Sequence, residues 1–461
     1  MLFSGIPFLF YFLPAVLILY FLVPDKLKNT VLLLFSLVFY AWGEPKYVVL
    51  MIISILLGYG FGLAIGKAQT KRWKRIFMIG SCVTLLGLLG WFKYADFALG
   101  NINSLLGTDL PLLKLALPVG ISFYTFQILS YTIDVYRGRV ESQKNVISFG
   151  AYVSLFPQLI AGPIVRYIDV DRELKHRTHS LEDMRIGLAR FLAGLGKKVL
   201  IANNLGLFIQ LFRDSGEQSV IFYWLYAIAF SLHIYFDFSG YSDMAIGLGR
   251  IFGFHFIENF NYPFISGTVS EFWRRWHISL GSWFRDYVYI PMGGNRVNKS
   301  RWVLNILTVW MLTGLWHGAA WNFVAWGLLF AALLMAEKMI PAIVKMPRIL
   351  RHCYVLLAVM LSFVLFNAVD MAQALGDMAA MFGLRSLPVW SAETGYYLRS
   401  YLVLLVVAVI GATPLPGKLW KQIRPTRVGA VAEIAGQVLL LLLCTAYLVD
   451  GSFNPFLYFR F

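Results

Sequence analysis

The chain has 461 residues, 59% of them hydrophobic and only 14% charged, with a mean hydropathy of +0.68 and a formal charge of +16. Soluble domains carry ~25% charged residues, so a soluble fold is excluded. Many apolar runs approach the ~20 residues that span hydrocarbon as a helix, and the alternation of a transmembrane barrel is absent, so the class is an all-α polytopic membrane protein.

Candidate spans fall at 6–24, 30–43, 47–66, 76–93 and 113–136. No cleavable signal peptide is expected, because the first run lacks basic residues before it and a small-residue cleavage site after it. Asp25-Lys26-Leu27-Lys28, the run KAQTKRWKR at 67–75 and Arg137-Gly138-Arg139 form alternate basic loops. One topology satisfies all three: N-terminus outside, these loops cytoplasmic. The same rule explains the positive charge without nucleic acid.

The middle of the chain is less regular. Residues 147–166, ISFGAYVSLFPQLIAGPIVR, are apolar but interrupted by Pro157, Gly162 and Pro163, which predicts a broken or re-entrant helix. A charged loop follows at 167–184. Residues 185–212 carry Lys197-Lys198 centrally and are read as lying partly along the interface. The run 219–253 is apolar but contains Asp237 and Asp243 around Ser239-Gly240, read either as a helix break with Asp243 near a cap or as polar lining of a tunnel. Residues 268–290 have the Trp, Arg and Tyr content of an interfacial helix. Spans resume near 303–317, 320–340, 350–368, 397–414 and 430–449.

No internal repeat or long linker is visible. The expectation is one membrane domain over 1–461, with N-terminal helices at 1–140, a catalytic core at 141–340 and C-terminal helices at 341–461. It holds about ten to twelve spans, plus re-entrant and interfacial helices. Cys82, Cys353 and Cys444 lie in or beside apolar runs and read as small core residues, not as disulfides or metal ligands.

The chemistry concentrates at 273–327. Here Trp316-His317-Gly318 sits inside an apolar, aromatic run, and a titratable group in hydrocarbon is costly enough to be held there by function. The structural reading of His317 is a core histidine bonded to a carbonyl. The functional reading is a general base: a buried imidazole stays neutral and can take the proton of an acceptor hydroxyl. Trp316, Trp321 and Trp326 are candidates to wall a slot, or simply to pack. His277 follows Trp273-Arg274-Arg275-Trp276 and is either an interfacial residue facing water or a second polar group orienting a substrate. Arg274, Arg275 and Arg285 suit lipid phosphates or the phosphates of a nucleotide-linked donor. His176, His179, His233, His255 and His352 have no evident partners. No Walker loop, nucleophile elbow, HExxH or Cys-pair pattern occurs.

The run EFWRRWHISLGSWFRDYVYIPMGGNR followed by LTGLWHGAAWNFVAWG resembles the membrane-bound O-acyltransferases (MBOAT), most closely the branch of alginate O-acetyltransferases and exopolysaccharide-acetylating relatives. The resemblance extends to the opening MLFSGIPFLFYFLPAVLILYFLVP, PVGISFYTFQILSYTIDVYRG at 118–138, FPQLIAGPIVR at 156–166, YFDFSGYSDMAIG, and the closing NPFLYFRF.

It implies helices ringed around a central tunnel, with the family's invariant histidine at His317 and its upstream polar position at His277. Trp316, Trp321, Asn322, Asp237, Ser239, Tyr241, Asp243, Trp273, Arg274, Trp276 and Arg285 are the expected substrate-binding or tunnel residues. No metal and no bound cofactor are expected; acetyl-CoA is the expected donor. His317 either activates the attacking hydroxyl or transiently carries the acyl group. The acceptor is an extracytoplasmic polysaccharide, reached directly or through an SGNH/esterase-like partner, across a bacterial plasma membrane. Acyl transfer from a carrier protein, as in the D-alanyl branch, is the alternative within the family. A glycan-precursor transporter or flippase, and a noncatalytic export scaffold, are the alternatives outside it.

Overall fold

The computed structural model describes residues 3–160 and 162–451. Met1, Leu2, Ala161 and the closing NPFLYFRF lie outside the described residues. Every regular element among the described residues is helical, and eight helices are long and apolar enough to cross a membrane. The protein is an all-α, multi-pass membrane protein. Phe8–Leu22 adds a shorter apolar helix. The chain divides into two compact units, Met1–Phe191 with Ser242–Ile257, and Leu192–Tyr241 with Glu258–Phe461.

In the first unit, Asp25–Gly43, Val48–Lys67, Lys71–Leu106 and Ile121–Tyr136 follow the predicted runs with shifted ends. Thr70 caps the third of these by accepting from the Trp73 amide, and Gly107 ends it in the left-handed conformation. The expected span at 113–136 begins only at Ile121. Pro111 and Pro118 lie in the irregular approach, whose Leu113 and Lys114 amides are held by the Asp96 carboxylate at 2.6 and 2.9 Å. The interruption predicted over 147–166 is present: Val146–Ser154 and Phe156–Leu159 are separate short helices. Phe3, Phe8, Phe12, Phe39, Phe156 and Phe252 form an aromatic core.

The second unit bears on two expectations. Residues 185–212, read as partly interfacial, belong to a continuous helical run, Leu181–Asp214, that is long and apolar enough to cross a membrane. A π-helical turn at Lys197–Ala202 interrupts its α geometry. There is also no helix break at Ser239-Gly240, because Val220–Ile251 is one helix. The small residue serves a close crossing instead: a Cβ at Gly240 would stand 2.8 Å from the Gly194 carbonyl oxygen. Beside that crossing, Lys198 and Asp237 form a buried ion pair at 2.5 Å, with 2% and 1% side-chain exposure. One turn away on the same helix, His233 Nδ1 donates to the Ala202 carbonyl at 2.8 Å.

Removing one member of a buried pair typically costs about 3–5 kcal/mol, whereas replacing both by apolar groups is often neutral. Asp237→Leu is therefore expected to lower thermal stability in detergent sharply, and Lys198→Met/Asp237→Leu to recover most of it. Equal melting of the single and double variants would show that the pair carries no such coupling.

Candidate active site

The site is built within the second unit, from three segments. The first is a turn. Thr268 caps the short helix Val269–Arg275 by accepting from the Glu271 amide at 3.0 Å. The chain then passes through extended Trp276 into His277, which adopts a left-handed conformation with φ 45° and ψ 52° before the helix Ile278–Phe284. Such a conformation costs a non-glycine residue about 1–3 kcal/mol and persists only where surrounding contacts impose it.

Those contacts come from the second segment, 259–261. The Ile278 amide donates to the Asn259 carbonyl at 3.0 Å, and the Asn261 amide to the Arg275 carbonyl at 2.9 Å. The Asn259 side-chain oxygen accepts from Ser279 Oγ at 2.8 Å and the Ser279 amide at 3.2 Å, and it lies 3.2 Å from His277 Nδ1. This network assigns the His277 proton to Nδ1 and its lone pair to Nε2. Phe238 meets the imidazole edge-on at 4.6 Å.

The third segment is the helical hairpin Lys299–His317 and Trp321–Met339. Asn298 starts it by accepting from the Arg301 amide at 2.9 Å. The two helices touch backbone to backbone. A Cβ at Gly314 would stand 2.2 Å from the Phe323 carbonyl oxygen, and one at Gly327 2.2 Å from that of Trp310. This contact carries His317, at the last position of the first helix, into an aromatic box. Trp316, Trp326 and Phe366 present edges or faces to it at 5.0, 5.1 and 5.2 Å between ring centroids. Trp316 is shared, since its ring also lies 5.9 Å from His277.

A cavity of about 540 Å³ opens on His277, within the range of small-molecule sites. Trp273 and Trp310 form apolar wall, Tyr289 and Thr313 are polar members, and Arg274 and Arg285 carry its positive charge. Both arginines are solvent-exposed; Arg274 Nε donates to the Ser270 carbonyl and Arg285 pairs with Asp286 at 2.7 Å. His317 lies outside the cavity wall, one turn beyond Thr313 on the same helix.

The expected site residues therefore divide. His277, Trp273, Arg274 and Arg285 share the cavity, and Trp316 contacts both imidazoles. Trp276 is core, stacked on Phe272 and edge-on to Phe260. Trp321 does not wall a slot: it is 58% exposed at the start of its helix. Asn322 is buried and donates to the Ala368 carbonyl at 2.9 Å, which ties helix ends together. Asp237 is not tunnel lining but the partner of Lys198, and Ser239 and Tyr241 are buried on the same helix. Asp243 belongs to the first unit, where Arg190 pairs with it at 2.9 Å.

Three of the remaining histidines have ordinary partners: His179 with the Tyr20 hydroxyl, His255 with Glu173 and His352 with the Ser266 carbonyl. No cluster of three or more His, Cys, Asp or Glu suited to a metal occurs among the described residues. Sequence reading missed Asn259, Tyr289, Trp310 and Thr313. Only the last two left a signal, the 306–310–313 helical spacing that shares a face with His317.

The membrane-bound O-acyltransferase family description matches residues 139–369, which contain every site segment described above. The chain belongs to the membrane-bound O-acyltransferase family. It is 39% identical to a probable alginate O-acetylase of Azotobacter vinelandii over the full length of both chains. It is 36% identical to a peptidoglycan O-acetyltransferase of Helicobacter pylori, over 83% of this chain and 80% of that one. A teichoic acid D-alanyltransferase of Bacillus subtilis is 30% identical over 47% of this chain and 58% of its own. The protein is thus a membrane acyltransferase of the alginate O-acetylase type, and its reaction is O-acyl transfer.

Burial also makes a pH prediction. It holds the His277 imidazole neutral, down to about 3 from an ordinary 6.5. Between those values the unfolded chain binds the proton and the folded chain does not. The stability is therefore complete above 6.5 and is lost as pH falls, by about 1.4 kcal/mol per unit. His277→Asn tolerates the left-handed backbone and removes this term. The wild-type melting temperature is expected to drop more between pH 7 and 5 than that of the variant; parallel drops would contradict the assignment.

Proposed function

We propose that the protein moves an acetyl group from cytosolic acetyl-CoA to hydroxyls of an extracytoplasmic polysaccharide, directly or through an SGNH/esterase-like partner. It would do so in a bacterial plasma membrane with its N-terminus outside. The observation that carries the reading is the cavity on His277, lined by Arg274 and Arg285, with the Trp316 ring in contact with both His277 and His317. Two exposed guanidiniums suit the phosphates of a nucleotide-linked thioester, and the Trp273 and Trp310 walls suit its uncharged arm. His317 takes the proton of the acceptor hydroxyl as that oxygen attacks the thioester carbonyl. The C–O bond forms, the C–S bond breaks, and the thiolate recovers a proton from the imidazolium. His277 orients the thioester, and the tryptophan and phenylalanine rings exclude water that would hydrolyse it.

Acetyl transfer is favoured over D-alanyl transfer because the Azotobacter O-acetylase relative aligns along the whole chain, whereas the D-alanyltransferase aligns along less than half of it. Purified protein incubated with labelled acetyl-CoA should release free thiol in the presence of acceptor polymer. His317→Ala should abolish release, by at least 100-fold at general-base magnitudes, while inserting and melting like wild type. Thiol release unchanged in His317→Ala would remove the assigned base. No release by the wild type, with or without a carrier-protein donor in place of acetyl-CoA, would leave a transporter or scaffold as the better reading.

A further inference from the structure

We infer that Asn259 is a positioning residue for acyl transfer: its side-chain oxygen fixes the tautomer and ring plane of His277, so that Nε2 faces the cavity. The inference rests on the reading of that cavity as the acyl-transfer site.

Three observations carry it. His277 is one of three non-glycine residues with positive φ among the described residues, and it is the one that lines the cavity. Its left-handed backbone is clamped on both sides by hydrogen bonds to the 259–261 segment. The Asn259 side-chain oxygen then gathers the Ser279 amide, the Ser279 hydroxyl and His277 Nδ1 at 2.8–3.2 Å, all buried. An amide oxygen only accepts, so Nδ1 must donate for this contact to hold. The alternative tautomer, with the proton on Nε2, would face that oxygen with a lone pair. It would have to turn to the Ser279 hydroxyl, 3.4 Å away. Asn259 thereby selects the form whose lone pair points away from the turn. A helix-starting role alone would need Ser279 but not His277.

The variants separate the two roles. Asn259→Leu keeps approximate volume and loses the acceptor. Asn259→Asp keeps an acceptor oxygen. Ser279→Ala removes one competing donor and leaves the His277 contact. With acetyl-CoA thiol release as the assay, Asn259→Leu should lower kcat by about 10–100-fold, the range for partners that orient a working histidine. KM for acetyl-CoA should stay within about 2-fold on the same reasoning. Asn259→Asp should restore most of kcat, and Ser279→Ala should retain it. If Asn259→Leu fails to fold, Asn259→Gln displaces the oxygen by one methylene and should show the same kcat loss in a folded protein.

Wild-type kcat in a folded Asn259→Leu or Asn259→Gln overturns the inference. So does a Ser279→Ala variant that loses as much as Asn259→Leu, because the network would then be structural only. His277→Ala is assayed in parallel. If it retains full activity, the assignment of the cavity falls and the inference with it. If His277→Ala is impaired while Asn259→Leu is not, the inference alone falls.

Discussion

The backbone contact between Lys299–His317 and Trp321–Met339 is the constraint on which the site depends. Carbonyl oxygens of Trp310 and Phe323 lie where a side chain on Gly327 or Gly314 would stand. In hydrocarbon, helices gain little from the hydrophobic effect and associate by such close packing. Nothing bulkier than glycine fits at the two positions, so the register of the hairpin is set there. Register in turn decides that the His317 ring at the end of one helix meets Trp326 on the other. Loosening either glycine contact would move the imidazole and its shield together.

The second fixed point is the turn at His277. A left-handed histidine has no reason to exist in isolation, and its cost is met by the backbone clamp to 259–261. Hairpin and turn meet at Trp273, which packs on Trp310, Trp326 and Phe330, and at Trp316, which contacts both imidazoles. The arrangement gives two histidine environments of different kinds. His277 borders a cavity, and its tautomer is set by an amide oxygen. His317 is enclosed by aromatic rings, with 5% exposure.

Much of this was legible in the sequence, and the misses share a cause. Trp316-His317 stood out because a titratable side chain inside an apolar run violates the composition around it, and that signal is local. The basic loops and most helix positions were local too. Asp237 and Asp243 were visible as anomalies, but their partners Lys198 and Arg190 lie 39 and 53 residues away, so the ion pairing that neutralises them was not. Ser239-Gly240 was read as a break because small residues end helices in water; between packed helices the same residues permit close crossing. Asn259 could not be found at all. Its role exists only once the 259–261 segment pairs with the 275–278 turn, and no spacing rule encodes that pairing.

Charge placement around the cavity also constrains the order of events in the proposed reaction. Arg274 and Arg285 are exposed, whereas the surroundings of His317 are rings and backbone. Moving an ionised phosphate away from solvent costs far more than moving a thioester carbonyl. A donor bearing both would be held by its anionic end at the arginines, while only the uncharged arm and acyl group advance along Trp273 and Trp310. The acyl carbonyl would then encounter His277 before the Trp316 ring and His317 beyond it. The enclosure of His317 works in the same direction: on the proposed reading it would admit a small neutral group while excluding water and the donor's charge. On the proposed reading His277 would form the donor-binding face and His317 an enclosed base, with the Trp316 ring in contact with both.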